Sequence, residues 1–485
     1  ISLTEKSKKY AKVVFDVSRI FLPKLTWHQL MGEGLSHYSL DIEISGENLR
    51  VSLIADNRTQ DSYSAAIKIN ETNEIKRTIK LAVYHILKNL LQVSGSPWGI
   101  LTGIRPTKIV HRLWDQGYQG LEIERILREN YLVDVTKIKN LLEITTLQRQ
   151  FLLSPEDSSK TASIYISIPF CPTRCYYCSF PAFSIGRWEK EVDNYLQALK
   201  MEIFKVGEAL KEKGIDVETI YVGGGTPTSL DSQQLTVLLD AINSSLRTNK
   251  TREFTVEAGR PDTITEDKLW ALKYGAVDRI SINPQTMWAP TLINIGRAHT
   301  TEDVINKVEM ARKIGFKVIN MDLILGLPGE NIEHFAYTLE EIKNLRPENV
   351  TFHALSIKRG AQLQDKDLTQ DEIVTKMNDL KEIWCKNEGY IPYYLYRQKQ
   401  ITANLENIGY SLPGLPSIYN IQMMEERQTI WGLGVGACTK VVNPLDWTLE
   451  SIYNPKDILL YNQRIAEIVQ AKVSIVCENV TPKGG

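Results

Sequence analysis

The stretch IYISIPFCPTRCYYC, residues 164–178, joins a short strand-like run to three closely spaced cysteines. Its first part is rich in the β-branched and aromatic residues that favour strands. Cys171, Cys175 and Cys178 follow directly, in a C-x3-C-x2-C arrangement. Cysteines gathered on one short loop are typical of a metal or iron–sulfur site. This stretch therefore predicts both the start of a main domain and the place of its site.

Five further strand-like runs follow, and segments with helical apolar spacing separate them. The runs are ETIYV at 218–222, EFTVE at 253–257, RISI at 279–282, KVINMDLIL at 317–325 and VTFHALSI at 350–357. Strands that alternate with helices form parallel sheets with right-handed crossovers. Six units favour a partial (β/α)6 TIM-type barrel over residues 161–360, although an open doubly wound sheet has the same pattern. We therefore predict the α/β class.

The residues on either side of this barrel divide into three parts. Residues 1–95 combine three strand-like runs with one amphipathic helical pattern, which predicts an N-terminal α+β domain. Residues 96–160 have the pattern of a helical connector. Residues 361–485 form a mixed α/β C-terminal extension that contains the run GLGVGA at 432–437. This run lacks the spacing of a dinucleotide-binding loop, so we predict a turn packed against the barrel.

Charge and composition restrict the class of protein. The chain has 57 basic and 58 acidic residues, a balance that argues against a nucleic-acid partner and favours a small-molecule substrate. No run approaches the roughly 18 to 20 apolar residues of a membrane span, and the first residues lack a signal-peptide pattern. We therefore expect a cytoplasmic protein without a membrane partner. Six cysteines are too few for a disulfide framework, and the three outside the loop are expected in the core.

Three thiolates on one loop can bind three irons of a [4Fe-4S] cluster and leave the fourth iron without a protein ligand. A structural zinc site requires a fourth ligand, usually a Cys or His at a short interval. The residues after Cys178 provide none nearby, since the next His and Cys are His299 and Cys385. A zinc site with a distant ligand and a loop of free thiols remain the alternatives. The spacing favours a cluster with one open iron.

Polar or glycine-rich residues end each predicted strand of the barrel. They are Gly223 to Thr226, Glu257, Asn283 and Gln285, Asp322, and His353 with Ala354. In barrels of parallel strands, the active site lies at these C-terminal ends. The glycines would let backbone N–H groups approach a carboxylate or phosphate closely. Each residue taken alone also fits a strand-end cap or a surface ion pair, and His353 is assigned a structural role.

The cysteine spacing, with Tyr177 before the third cysteine, resembles the cluster loop of the radical S-adenosylmethionine (SAM) superfamily. The runs YISIPFCPTRCYYCSF, YVGGGTPTSL, MDLILGLPGE and GLGVGA closely resemble the oxygen-independent coproporphyrinogen III oxidase (dehydrogenase) family over about residues 161–440. The N-terminal α+β region, LTGIRPTKIVHRL and PYYLYRQKQITANLENIGY are similar to its HemZ-like branch. The resemblance implies two cofactors, a [4Fe-4S] cluster and SAM, whose cleavage gives a radical that abstracts hydrogen from the substrate.

The resemblance also implies a set of residues that bind SAM. Glu257 and Gln285 would contact the cofactor, and Arg297 would bind its carboxylate. Asp322 would bind the ribose hydroxyls, and Ala354 would meet the adenine edge. The remaining members are Tyr165, Gly224, Gly225 and Thr226, of which the last three match the segment that holds the amino group. The side-chain chemistry suits these partners, since a guanidinium pairs with a carboxylate and a carboxylate accepts from hydroxyls.

The implied activity is oxidative decarboxylation of coproporphyrinogen III to protoporphyrinogen IX in heme biosynthesis. It implies a tetrapyrrole substrate and an electron donor such as flavodoxin or ferredoxin. The propionates of such a substrate require cations, and the candidates are Lys358, Arg359, Arg397 and Lys399. No catalytic residue is assigned.

Two alternatives remain open on the same core. Relatives bind, transfer or degrade heme, and an RNA-modifying radical enzyme would use the N-terminal region as a nucleic-acid module. The chain also departs from the family where a histidine usually stands two residues before Pro169, since that residue is Ser167.

Overall fold

The computed structural model describes residues 1–68, 71–103, 105–180, 182–357, 361–364, 369–398 and 401–478. The chain divides into two compact units, Ile1–Thr145 with Arg397–Gln400, and Thr146–Tyr396 with Ile401–Gly485. None of the helices in the described ranges has the length and apolar composition that a membrane crossing requires.

The first unit contains a four-stranded sheet packed against helices. Its strands, in sheet order, are β1 (Ser2–Leu3), β2 (Ser39–Ser45), β3 (Asn48–Ala55) and β4 (Arg58–Ala66). Its helices are α1 (Ala11–Phe21), α2 (Trp27–Leu30), α3 (Thr72–Leu91), α4 (Thr107–Asp115), α5 (Gly120–Tyr131) and α6 (Val135–Gln148), the last of which continues into the second unit. The apolar face of α3, including Val83 and Leu87, joins Val51 of β3 in one buried core.

The second unit contains the remaining elements. Its strands are β5 (Thr161–Ile168), β6 (Phe170–Cys171), β7 (Phe183–Ser184), β8 (Asp216–Gly224), β9 (Glu253–Glu257), β10 (Arg279–Ser281), β11 (Val318–Leu325), β12 (Asn349–Ala354), β13 (Ile391–Tyr396), β14 (Asn407–Ser411), β15 (Thr429–Leu433), β16 (Cys438–Val442) and β17 (Leu449–Tyr453). Its helices are α7 (Pro155–Lys160), α8 (Ile185–Glu212), α9 (Ser232–Ser245), α10 (Glu266–Tyr274), α11 (Ala289–Asn294), α12 (Thr301–Ile314), α13 (Ile332–Leu345), α14 (Asp371–Asn387), α15 (Ile418–Glu425), α16 (Ile458–Gln463) and α17 (Ile465–Glu478).

Most of these strands form one sheet in the order β13-β14-β12-β11-β10-β9-β8-β5-β15-β16-β17. The seven strands from β12 to β15 in this order are parallel, and the two pairs at the edges are antiparallel. Helices α8, α9, α10, α12 and α13 lie in the connections between parallel strands. The predicted α/β fold with a partial barrel is confirmed, and all six predicted runs are strands.

The glycine-rich run was predicted to be a turn, and this was wrong for its first part. Residues Thr429–Leu433 form β15, which pairs in parallel with β5 from Ala162 to Ile166. A Cβ atom on Gly432 would lie 2.4 Å from the Cys438 carbonyl oxygen, so the close return of β16 requires glycine there. Glycine weakens strand propensity, and a glycine required by tertiary packing therefore concealed a seventh parallel strand.

The buried carboxylate of Glu253 lies at the start of α15. The Glu253 carboxylate accepts hydrogen bonds from Ser417 Oγ (2.8 Å), Ile418 N (2.9 Å) and Tyr419 N (3.2 Å). A carboxylate at a helix N-terminus accepts hydrogen bonds from the free N–H groups there, and it interacts favourably with the positive end of the helix dipole. Because Glu253 is the first residue of β9, this helix lies at the end of the strands opposite to the candidate site.

Candidate active site

The three cysteines lie on a loop that two short strands hold in place. We call residues 171–178 the cluster loop. Its first residue ends β6, which pairs with β7 beyond the loop, and Phe183 N donates to Pro169 O at 2.8 Å. Within the loop, Cys178 N donates to Cys175 O at 3.1 Å, and Tyr176 N donates to Ile295 O at 3.0 Å. The loop is therefore anchored directly after the C-terminal end of β5.

The thiols of the cluster loop are shielded from solvent and influence one another. Cys175 is buried, and Cys171 and Cys178 are half-buried. Burial raises the pKa of the Cys171 thiol to about 11, and the charges of Cys178 and Cys175 contribute to the rise. The Thr226 hydroxyl, 3.4 Å from Cys171 Sγ, lowers this pKa. Three thiolates in this setting require nearby positive charge, which a metal cluster supplies.

Within the described ranges, no group of three or more His, Cys, Asp or Glu side chains is close enough to hold a single metal ion. A [4Fe-4S] cluster does not require such a group, because each of its three thiolates binds a different iron. The donor set of three soft thiols on one anchored loop fits that cluster.

Residues 223–225, which we call the glycine turn, lie at the end of β8 and pack against the residues that lead into the cluster loop. Gly225 N donates to Ile168 O at 2.8 Å, and Thr226 N donates to Phe170 O at 2.7 Å. The Gly224 N–H contacts the carboxylate of Glu257. These N–H groups are thus used within the protein, and the one of Gly224 is used by a carboxylate. A Cβ atom on Gly225 would lie 2.6 Å from Phe170 O, so this close approach requires glycine.

Glu257 lies at the end of β9 and faces Tyr221. The Tyr221 hydroxyl donates to Glu257 Oε1 at 2.7 Å. Burial raises the pKa of Glu257 to about 7, the Tyr221 hydrogen bond lowers it, and the charge of Asp322 raises it. Tyr165 stacks beside Tyr221, with ring centroids 6.3 Å apart. A cation would stabilise this buried carboxylate, so the site suits an ammonium group.

Asp322 lies within β11 and is the centre of a hydrogen-bonded network that includes residues of β12 and of the segment after β10. Asn283 Nδ2 donates to Asp322 Oδ2 at 2.8 Å, and Asn320 Nδ2 donates to Oδ1 at 2.9 Å. His353 Nε2 lies 3.8 Å from Oδ1, and its Nδ1 lies 3.2 Å from the Tyr396 hydroxyl. Burial would raise the pKa of Asp322, but His353 and the neighbouring hydrogen bonds hold it below the usual value. This carboxylate is held ionised and oriented.

Arg297 carries a buried donor without a partner. Its Nη2 donates to Asn283 O at 2.7 Å, and its Nη1 donates to Gly259 O at 3.3 Å. Its Nε is buried and has no hydrogen-bond partner among the described residues. An unpaired buried donor is costly, and a carboxylate ligand would remove the cost.

Gln285 and Ala354, the two remaining predicted SAM contacts, make backbone hydrogen bonds within the protein. Gln285 has a φ of 69°, a left-handed conformation that costs a residue with a side chain about 1 kcal/mol or more. Its N–H donates to Asp322 O and its carbonyl accepts from Ile324 N, both at 2.9 Å. The Ala354 N–H donates to Asn407 Oδ1 at 2.9 Å and is therefore already used.

Of the four predicted substrate cations, Arg397 lies in the described part of the chain. Arg397 belongs to the first unit, where its guanidinium lies over the Trp98 ring at 5.1 Å and donates to Leu101 O. Lys358, Arg359 and Lys399 lie outside the described residues.

Comparison with known proteins identifies the family. The pattern of the Radical SAM superfamily matches residues 165–342. The oxygen-independent coproporphyrinogen-III oxidase-like protein HemZ of Bacillus subtilis is 44% identical over 411 residues, which cover 82% of this chain and 81% of that protein. The chain belongs to the oxygen-independent coproporphyrinogen III oxidase family, in its HemZ-like branch.

Two further proteins are similar to this chain. The heme chaperone HemW of Lactococcus lactis is 31% identical over 328 residues, which cover 66% of this chain and 80% of that protein. The solved structure of coproporphyrinogen III oxidase HemN from Escherichia coli, a radical SAM enzyme, matches with a TM-score of 0.53 at 24% identity. This match covers 65% of this chain and 72% of that one, and it shows a shared fold.

Membership of the radical SAM superfamily implies SAM and a [4Fe-4S] cluster, and the site fits both groups. The three thiols provide the ligands of a cluster with an open iron. The unpaired Arg297 Nε and the buried Glu257 match the carboxylate and the ammonium of a bound amino acid. Thr226 links the two sets, since it contacts Cys171 and directly follows the glycine turn.

The sequence did not identify Arg260 as a residue of this site. Arg260 contacts the cluster loop, although nothing in its sequence context distinguishes it from a surface arginine. His353, which the sequence placed at a strand end with a structural role, lies beside Asp322 in the network described above.

A second buried carboxylate next to this region makes stability depend on pH. Thr286 Oγ1 donates to Glu330 Oε1 at 2.5 Å, and Glu330 Oε2 is buried without a partner among the described residues. Burial raises the pKa of Glu330 from 4.5 to about 7. Because the folded pKa exceeds the unfolded value, the contribution to stability is present below about pH 4.5 and is lost as pH rises through about 7.

We therefore expect Glu330→Gln to remove part of the pH dependence of unfolding. Between pH 5 and 8, the unfolding free energy of the unmodified protein should fall by up to about 3 kcal/mol relative to the variant. Denaturant unfolding at several pH values measures this difference. Glu340→Gln, at an exposed position of α13, is the matched control and should keep the original slope. Parallel curves for all three proteins would contradict the prediction.

Proposed function

We propose that this chain catalyses the oxygen-independent oxidative decarboxylation of coproporphyrinogen III to protoporphyrinogen IX. The observation that carries the radical chemistry is the anchored loop of three thiols beside a glycine turn and a buried arginine with an unpaired Nε. The substrate assignment is supported by 44% identity to a relative that is named for its likeness to this oxidase.

The proposed roles follow from the surroundings of each side chain. Cys171, Cys175 and Cys178 would bind three irons of the cluster. When bound, the cluster and SAM supply a 5'-deoxyadenosyl radical that removes a hydrogen atom from the substrate. Arg297 would bind the carboxylate of SAM through its unpaired Nε. Glu257 would be held ionised by the ammonium group, because a bound cation offsets the cost of its burial.

The other cofactor contacts are assigned by the same reasoning. Asp322, oriented by Asn283 and Asn320, would accept hydrogen bonds from the ribose hydroxyls. Its lowered pKa keeps it an acceptor at neutral pH. We further assign Tyr165, Gly224, Gly225, Thr226, Gln285 and Ala354 to the walls of the cofactor site.

The reaction on the substrate would proceed at two propionate groups. A hydrogen atom leaves the β carbon of a propionate, the carboxylate leaves as carbon dioxide, and one electron passes to an external acceptor. A vinyl group remains. Lys358, Arg359 and Lys399 are the proposed cations for the other carboxylates, and Arg397 is a weaker candidate because Trp98 and Leu101 already contact it. The proposed setting is the cytoplasm, with flavodoxin or ferredoxin as electron donor.

The proposal is tested with coproporphyrinogen III that carries label in its propionate carboxyl carbons. Anaerobically reconstituted protein, reduced flavodoxin, SAM and an electron acceptor should release two labelled carbon dioxide molecules for each protoporphyrinogen formed. Two molecules of 5'-deoxyadenosine should appear with them, and none in reactions without SAM. Formation of 5'-deoxyadenosine with no release of label would overturn the substrate assignment.

A second candidate function is heme binding and transfer. It is favoured by the heme chaperone of L. lactis, of which the match covers 80%. This function predicts a stoichiometric shift of the heme Soret band on titration and no release of carbon dioxide in the assay above. The two readouts therefore separate the two functions in one preparation.

A further inference from the structure

Arg260 lies three residues after the end of β9 and is 4% exposed. Its Nη1 lies 3.5 Å from Cys175 Sγ and donates to Thr173 O at 3.1 Å. Its Nη2 donates to Thr173 Oγ1 at 3.0 Å. One buried guanidinium thus contacts a proposed ligand sulfur and fixes the loop residue two positions before it.

Asp262 holds this guanidinium in a fixed orientation. Arg260 Nε donates to Asp262 Oδ1 at 3.1 Å, and Nη2 donates to Oδ2 at 2.9 Å. An arginine has five N–H donors, and the contacts to Asp262, Thr173 and Cys175 use all five. Such a side chain cannot turn away from the sulfur without breaking several hydrogen bonds. These hydrogen bonds therefore fix the position of the Arg260 side chain beside the cluster loop.

We infer that Arg260 is a positioning residue that sets the reduction potential of the cluster through its hydrogen bond to Cys175. This inference rests on the cluster of the proposed function and is independent of the substrate. Hydrogen bonds to ligand sulfurs, and nearby positive charge, stabilise the more negative reduced cluster and raise its potential. The charge of Arg260 also acts on Cys171.

Other charges around the loop define what Arg260 contributes. The positive charges of Arg174 and Arg297 stabilise the thiolate form of Cys178 from a distance, whereas Arg260 contacts Cys175 directly. Asp262 partly offsets the charge of Arg260 without contacting a sulfur in the described structure. Arg260 and Asp262 are therefore expected to shift the potential in opposite directions.

The test is a redox titration of anaerobically reconstituted full-length protein, followed by electron paramagnetic resonance. Arg260→Met should lower the potential, with a tenfold lower ratio of reduced to oxidised cluster at a given potential, which corresponds to about 59 mV for one electron. Arg260→Lys, which keeps the charge but lacks the forked donors, should recover part of the shift. Asp262→Asn should raise the potential.

Arg312→Gln is the matched control. Arg312 lies on α12, and its Nη2 is 2.9 Å from Glu348 Oε2. This substitution should leave the potential unchanged. Iron and sulfide contents are measured for every variant, so that loss of cluster is separated from a shift in potential. If Arg260→Met retains little cluster, the sign of the Asp262→Asn shift decides. A normal potential in an Arg260→Met variant with full cluster content, or a lowered one in Asp262→Asn, would overturn the inference. Failure of the unmodified protein to take up a cluster would instead overturn the proposed function.

Discussion

Replacing Cys175 with alanine is expected to abolish both the brown visible absorption of the reconstituted protein and its cleavage of SAM. Cys175 is buried and lies next to Arg260, so no other thiol of the cluster loop can take its place. The remaining two thiolates cannot retain a cluster that requires three protein ligands. Absorption spectra, iron content and 5'-deoxyadenosine yield measure the loss, which should reach background in all three.

Cys385→Ala is the matched control for this experiment. Cys385 is also buried, but it lies on α14 and belongs to the core. The control variant should keep the full spectrum and activity, because a buried cysteine of this kind acts as a small apolar residue. A brown Cys175→Ala variant with normal iron content would disprove the assignment of the cluster ligands.

Lys472→Met is expected to lower the free energy of unfolding by about 3 to 5 kcal/mol, the cost of leaving a buried charge without its partner. Lys472 on α17 and Glu202 on α8 form an ion pair whose members are 1% and 0% exposed. The pair also hydrogen-bonds with four neighbouring groups, those of Gly432, Gly434, Asn454 and Tyr461. Removing the ammonium leaves the Glu202 carboxylate buried with only neutral donors.

Chemical denaturation under anaerobic conditions measures this effect. Lys313→Met is the control, since the Lys313–Glu309 pair is largely exposed and such pairs contribute about 0 to 1 kcal/mol. The double variant Glu202→Gln with Lys472→Met should be more stable than Lys472→Met alone, because the unpaired charge is gone. An equal loss of unfolding free energy in Lys313→Met and Lys472→Met would contradict the prediction for the buried pair.

The sequence predicted the central sheet well because its strands are buried on both faces. Runs such as IYISI and ETIYV consist almost entirely of β-branched and aromatic residues, which is typical of parallel strands between helices. The strand β15 was missed because Gly432 is required by a neighbouring chain segment. That requirement is a tertiary contact and leaves no trace in the local pattern.

The site was predictable where a residue type and a strand end coincided. The three cysteines come just after the first predicted strand, and Glu257 is the last residue of the third. Two features could not be predicted. The N–H groups of Gly225 and Thr226 donate to carbonyl oxygens of β5 and β6, and Arg260 reaches a sulfur 85 positions earlier in the chain. Both depend on how distant loops pack.

The parallel pairing of β15 with β5 also has a consequence for biosynthesis. The cluster loop follows β5 directly, and β15 is translated long after it. Until β15 has been synthesised, the edge of β5 that pairs with it has exposed N–H and C=O groups, and another polypeptide could pair with them. This edge of the sheet is therefore completed only when residues 429–433 have been synthesised.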